Sequence, residues 1–172
     1  MSIRSRLAIA HSRKVADEVL GLVLQNQNLV RELLDCFYQT EDIKITQRAA
    51  MVVGDLGREK PYWLDDEHGK LIAYATRPPH PAVRRAITRY FSEYPADIHE
   101  DLEGLLLDLS LKLIVDENEP VTGRVFSMTT ALKLCRKYPD IAPELKAAIE
   151  SGMEHGSNGF KSRGRKVLKA LG

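Results

Sequence analysis

Apolar residues recur along this chain at one fixed set of offsets. Ile45, Ala49, Val52 and Leu56 stand at offsets 0, 4, 7 and 11, and the same offsets return as Val83/Ile87/Tyr90/Tyr94, Val121/Val125/Met128/Leu132 and Phe160/Gly164/Val167/Leu171. The anchors at 45, 83, 121 and 160 are 38, 38 and 39 residues apart. These offsets trace one face of an α-helix, and self-similarity at this period predicts stacked helical hairpins, each of which buries its stripe only against a neighbouring copy.

Breaker residues place the helix ends. Pro61, Pro78/Pro79/Pro81, Pro95, Pro120, Pro139 and the Gly156 to Gly159 segment fall between the periodic runs, where proline starts a helix but cannot continue one. The pattern predicts about nine helices. Two cover residues 12–25 and 28–38, the stripe helices cover 43–58, 80–94, 119–138 and 158–171, and partner helices lie between them at 62–76, 97–116 and 140–154. No useful segment alternates with period two, so no strand is expected. Pro95 is followed by Asp97, Ile98 and Leu102, and Pro139 by Asp140, Ile141 and Leu145. Both aspartates are predicted N-caps and both apolar pairs the start of a buried stripe.

Arginine carries a second periodicity. Arg48, Arg124 and Arg163 stand three residues after their anchors, whereas the second copy has Ala86 there with Arg84 and Arg85 just before it. That offset lies about 60° to the side of the stripe. It predicts structural arginines beside the seam between helices, the stem packed and the guanidinium paired with a carboxylate or carbonyl of the next repeat.

The strings HPAVRRAI at 80–87, NEPVTGRVF at 118–126 and DIKITQRAA at 42–50 resemble the second helix of HEAT repeats, in the armadillo/HEAT superfamily. The resemblance runs from Asp42 to the C-terminus; the Asp that usually precedes the Val is present only as Asp42, with Pro81 or Pro120 elsewhere. It implies an all-α fold, a right-handed α-solenoid of about four stacked hairpins. Residues 1–172 are expected to form a single repeat domain, with 1–42 as an N-terminal capping hairpin.

Charge follows the same register. The stripe segments 43–61, 80–96, 119–138 and 158–172 hold 16 Lys/Arg against 4 Asp/Glu, and the segments between them hold 4 against 14, inside a chain of net charge only +1. Part of this follows from the helix dipole, which favours acids in first turns and bases in last turns. Arg84, Arg85, Lys161, Arg163 and Arg165 sit in first turns, where the dipole disfavours cations. The resemblance places second helices on the concave side of the stack and so implies a basic inner face. Its predicted binding positions, pointing away from the stripe, are Arg85, Arg89, Lys133, Lys137, Arg165 and Lys169.

Catalytic and metal chemistry has little support. His68 beside Asp65, Asp66 and Glu67 reads as a solvated helix start, and His99-Glu100-Asp101 lacks the H-E-x-x-H spacing. Gly156-Ser157-Asn158-Gly159 lacks the Lys-Ser/Thr ending of a phosphate loop and reads as a turn. Cys36 and Cys135 form no CxxC pair and have no activating neighbours, and Cys135 is predicted to be core. No metal and no cofactor is expected. MSIRSRLAIAHSRK contains no signal-peptide core, no later run reaches the ~20 apolar residues of a membrane span, and a reduced cytoplasmic setting is expected. The chain thus reads as a non-enzymatic scaffold for another protein, an acidic peptide or another anionic macromolecule. Alternative readings are a nucleic-acid binder resembling, in fold, the DNA alkylation repair glycosylases, and a homodimer formed through the Leu-rich run 102–115.

Overall fold

Short polar side chains start several of the helices. Ser2 accepts from the Ser5 amide at 3.0 Å, Ser12 from Val15 at 3.2 Å, Asp42 from Lys44 at 3.0 Å and Ser157 from Phe160 at 3.2 Å. Each satisfies an amide that the first turn would otherwise leave without a partner. In the computed structural model, which describes residues 1–172, these caps open α1 (Ile3–Ile9), α2 (Arg13–Gln25), α4 (Ile43–Glu59) and α10 (Asn158–Leu171). The other helices are α3 (Leu29–Tyr38), α5 (His68–Thr76), α6 (Pro81–Glu93), α7 (Glu100–Val115), α8 (Val121–Lys137) and α9 (Ala142–Met153). Two 3-10 helices, Pro61–Glu67 and Pro139–Ile141, lead into α5 and α9, and there is no strand.

The helix α1 was not foreseen; it is a single amphipathic pair, Ile3 and Leu7, four apart and almost fully buried against α2, α3 and α4. The two aspartates expected as N-caps do not cap. No helix starts at Asp97, and His99 is instead the cap of α7, its Nδ1 accepting from the Asp101 amide at 3.2 Å. At Asp140 the 3-10 turn runs straight into α9 with Ile141 already in the helical region, so the helix has no extended flanking residue to offer a cap.

The chain falls into two compact units, residues 1–90 and 91–172. In the first, α3 and α2 pack on α4, whose stripe residues Ile45, Ala49, Val52 and Leu56 are all buried, as are Val83, Ile87 and Tyr90 of α6. In the second, α8 packs between α7 and α10, and α9 closes on α7 and α10. Its core holds Ile114, Met128, Ala131, Cys135, Leu145, Ile149, Phe160 and Val167. The third stripe is rotated from its expected setting. Val121 is 39% exposed and Val125 and Leu132 are half-buried, while Arg124, Met128, Ala131 and Cys135 turn inward.

Arginine is the recurrent connector. Arg124 donates through Nε (2.9 Å) and Nη2 (2.8 Å) to the Ile114 carbonyl at the end of α7, and it lies 4.1 Å from the centre of the Phe160 ring. Arg48 donates to Leu7 (2.7 Å) and Ala8 (3.0 Å) at the end of α1, and Arg84 to Ala75 (2.8 Å) and Thr76 (3.0 Å) at the end of α5. Carbonyls at a helix C-terminus lack amide partners and carry the negative end of the dipole, so a guanidinium there answers both deficits. The pairing therefore runs back to the end of an earlier helix rather than on to the next repeat. In the second copy Arg84 takes the role that Ala86 at offset 3 cannot. Arg163 differs, reaching the Thr129 hydroxyl on α8.

His68 is buried, at 4% exposure, and not solvated. Tyr90 donates to the Pro61 carbonyl at 2.8 Å and so accepts from His68 Nε2 at 2.7 Å. Burial pushes the His68 pKa down, against the pull of Asp65 and Asp66. The Tyr90 ring in turn lies against Gly57, where an added Cβ would stand 2.6 Å from the ring Cδ2.

Three outcomes are expected for urea unfolding of the full chain. Gly57→Ala forces Tyr90 aside and costs about 1–3 kcal/mol, whereas Gly21→Ala, inside α2 with nothing within 4 Å of the new Cβ, adds about 0.5–1 kcal/mol. Arg124→Met strips the Ile114 carbonyl of its donor and costs about 1–3 kcal/mol. Because the folded His68 stays neutral where the unfolded chain protonates, stability is full above the ordinary value of 6.5 and declines as the pH falls from there to the lowered folded value. His68→Gln flattens that stretch of the stability curve, as read from midpoints at successive pH values.

Candidate functional site

In the first unit, residues of α4 and α6 and the start of α2 line a groove of about 280 Å³. The register of α4 brings Gln47, Ala50, Met51, Gly54, Asp55 and Arg58 to it, spaced three and four apart on one side of the helix, and α6 brings Ala82, Arg85, Ala86 and Arg89 in the same way. His11 and Arg13 complete the wall at the start of α2. A Cβ on Gly54 would lie 3.6 Å from that of Ala86, so α4 and α6 approach closely there. The rim is arginine: Arg13, Arg58, Arg85 and Arg89.

Asp55 organises two of them. It is 93% buried, and its two carboxylate oxygens bind different partners, Oδ2 the Arg13 guanidinium and Oδ1 the Arg58 guanidinium. The bond to Asp55 raises the Arg13 pKa further, and Arg13 also meets Asp17 at 2.8 Å. Arg13 and Arg58 keep 53% and 42% of their side-chain surface exposed. Arg85 on the opposite wall is exposed, and Arg89 is half-buried beside it.

Of the six positions expected on a basic face, Arg85 and Arg89 come together in this groove. Lys133 is half-buried in the second unit, and its ammonium donates to the carbonyls of Phe91 (3.0 Å), Ser92 (3.3 Å) and Tyr94 (2.8 Å), which uses all three of its protons. Lys137 pairs with Glu103, which is only 4% exposed. Burial pushes the Glu103 carboxyl up, and the bonds from Lys137 and Tyr138 outweigh it and hold the group below the ordinary carboxylate value. Arg165 and Lys169 are exposed on α10. Arg13, Arg58, Asp55 and the small lining residues were not singled out from the sequence, although Ala50/Gly54 and Ala82/Ala86, each four apart on successive stripe helices, are a legible sign of close approach.

Elsewhere the chemistry is quiet. Both cysteines are free and buried, and burial pushes both thiols up, away from nucleophilic thiolate. No group of three or more His, Cys, Asp or Glu side chains is placed to hold a metal ion, and no helix is long and apolar enough to cross a membrane. The outer side of α7 mixes Leu105 and Val115 with Glu100, Asp101, Asp108 and Lys112, so the Leu-rich run offers no continuous apolar patch.

A family model described as HEAT repeat domain matches residues 3–171. No curated protein and no solved structure matches the chain. The arginine-linked helical hairpins and the reach of that model over nearly the whole sequence agree, and the chain belongs to the HEAT repeat family.

Proposed function

We propose that this helical-repeat protein is a non-enzymatic scaffold that binds an acidic segment of a partner protein through the groove of α2, α4 and α6. One observation carries the reading: four arginines line one groove together with the small residues Ala50, Gly54, Ala82 and Ala86, so a partner's acidic side chains can meet guanidinium groups there. Besides the arginines, the only groups in the groove with acid or base chemistry are His11 and Asp55, and Asp55 is committed to two ion pairs. That supports binding over catalysis.

Nucleic acid is the competing partner. Single strands and flipped bases are held by stacking on aromatic rings, and no Phe, Tyr or Trp lines this groove. Trp63 lies in the 3-10 helix Pro61–Glu67, outside it.

Fluorescence anisotropy of the full chain with a labelled Glu/Asp-rich peptide and with duplex DNA tests the proposal. The peptide is expected to bind with an affinity that falls with salt, and Arg85→Glu/Arg89→Glu weakens it by about tenfold or more, while Lys112→Glu on α7 leaves it unchanged. Tighter binding to DNA than to the peptide, or retention of peptide binding by the double variant, overturns it.

A further inference from the structure

We infer that the two carboxylates holding Arg13 act on binding in opposite senses: buried Asp55 is a positioning residue that keeps Arg13 and Arg58 at the groove, whereas exposed Asp17 competes with the partner for Arg13. The inference rests on the binding role proposed above and concerns how the groove sets its own affinity.

Burial separates the two acids. The Asp55 side chain keeps 9% of its surface exposed and that of Asp17 62%, although both meet the same guanidinium. Asp55 takes Arg13 on Oδ2 and Arg58 on Oδ1, so both of its oxygens are engaged and the start of α2 is tied to the last turns of α4. An incoming acid cannot readily take these arginines from Asp55, because that would strand a charge away from water. Holding two long side chains in place beforehand also spares the ordering that binding would otherwise demand of them.

Asp17 is placed differently. It lies one turn along α2 from Arg13, and its Oδ1 stands 2.8 Å from both Nε and Nη2 of the guanidinium. That edge is one that a carboxylate grips with two parallel bonds, so Asp17 occupies donors that an acidic side chain of the partner would use. Asp17 itself sits outside the groove, in an adjoining hollow whose lining includes Arg13, Asp55 and Arg58 as well. An exposed pair at this helical spacing is weak, so a partner can displace it, at the cost of a few-fold in affinity.

Loss of either acid changes the charge by the same amount. If charge alone decided binding, both losses would favour an acidic ligand. If both acids served only the fold, neither would. The geometry gives opposite signs.

Fluorescence anisotropy with the labelled Glu/Asp-rich peptide tests this on the full chain and on Asp17→Asn, Asp55→Asn and Glu18→Gln, the last an exposed acid next to Asp17 that lines neither hollow. Asp17→Asn is expected to bind about twofold to fivefold tighter. Asp55→Asn is expected to bind about fivefold or more weaker, and Glu18→Gln is expected to match the unmodified chain. Both effects run through the arginines, so the gain disappears in an Arg13→Gln background and the loss in an Arg13→Gln/Arg58→Gln background, which a purely structural role would not produce. Urea unfolding checks that each variant is folded. Where Asp55→Asn is not, Asp55→Glu, which keeps the charge and shifts the carboxylate by one methylene, replaces it and is likewise expected to weaken binding. Tighter binding by Asp55→Asn, no gain in Asp17→Asn, an equal gain in Glu18→Gln, or effects that persist without the arginines overturn the inference and leave the acidic-segment reading standing. Failure of the unmodified chain to bind the peptide overturns both.

Discussion

Much of the organisation of this protein depends on basic side chains that close the C-terminal ends of helices. A helix ends with carbonyls that have no amide to accept, and they need another donor. Arg48, Arg84 and Arg124 each donate to such carbonyls, and Lys133 does the same at the end of α6 with all three of its protons. Stripes of Leu, Val and Ile provide the drive for helices to pack, but apolar contacts alone tolerate sliding and rotation. A directional bond from one helix to the last carbonyls of another removes that freedom. On α8 the buried face carries Arg124 together with Met128, Ala131 and Cys135, and Val121 is left substantially exposed.

The arrangement of helices was legible because periodicity and punctuation are properties of consecutive residues. Four stripes, their prolines and their spacing are enough to predict the hairpins, and most boundaries fall within a few residues of where the helices begin and end. What escaped depends on residues distant in sequence. His68 reads as a hydrophilic helix start because three acids precede it, and only the approach of Tyr90 from a later helix, made close by Gly57, explains its burial. The short helix α1 buries only two residues, Ile3 and Leu7, too few for a pattern, and is held by the surface it covers. Asp97 and Asp140 have the right chemistry for caps, but capping needs an extended flanking residue at one position, which backbone geometry decides.

The binding groove was half legible for a related reason. Arg85 and Arg89 stand out as cations on the side of a helix away from its stripe, and so does Lys133. Nothing local distinguishes a cation facing solvent from one whose protons are taken up by carbonyls about forty positions earlier. Asp55 illustrates the converse. A lone acid among bases reads as dilution of a basic face, yet in place it is the anchor that holds Arg13 and Arg58 at the rim.

The capping bonds also impose an order in time. Each donor lies later in the chain than the carbonyls it serves: Arg84 follows Ala75 by 9 residues and Arg124 follows Ile114 by 10, but Arg48 follows Leu7 by 41 and Lys133 follows Phe91 by 42. As the polypeptide leaves the ribosome, α5 and α7 can be finished almost as soon as the next helix begins. The ends of α1 and α6 must wait for a whole further repeat to emerge. During that interval α1, with only seven residues, has no means of persisting by itself. The end of α1 is thus completed by a residue made long after it, and a nascent chain halted before Arg48 would lack the donor that finishes that helix.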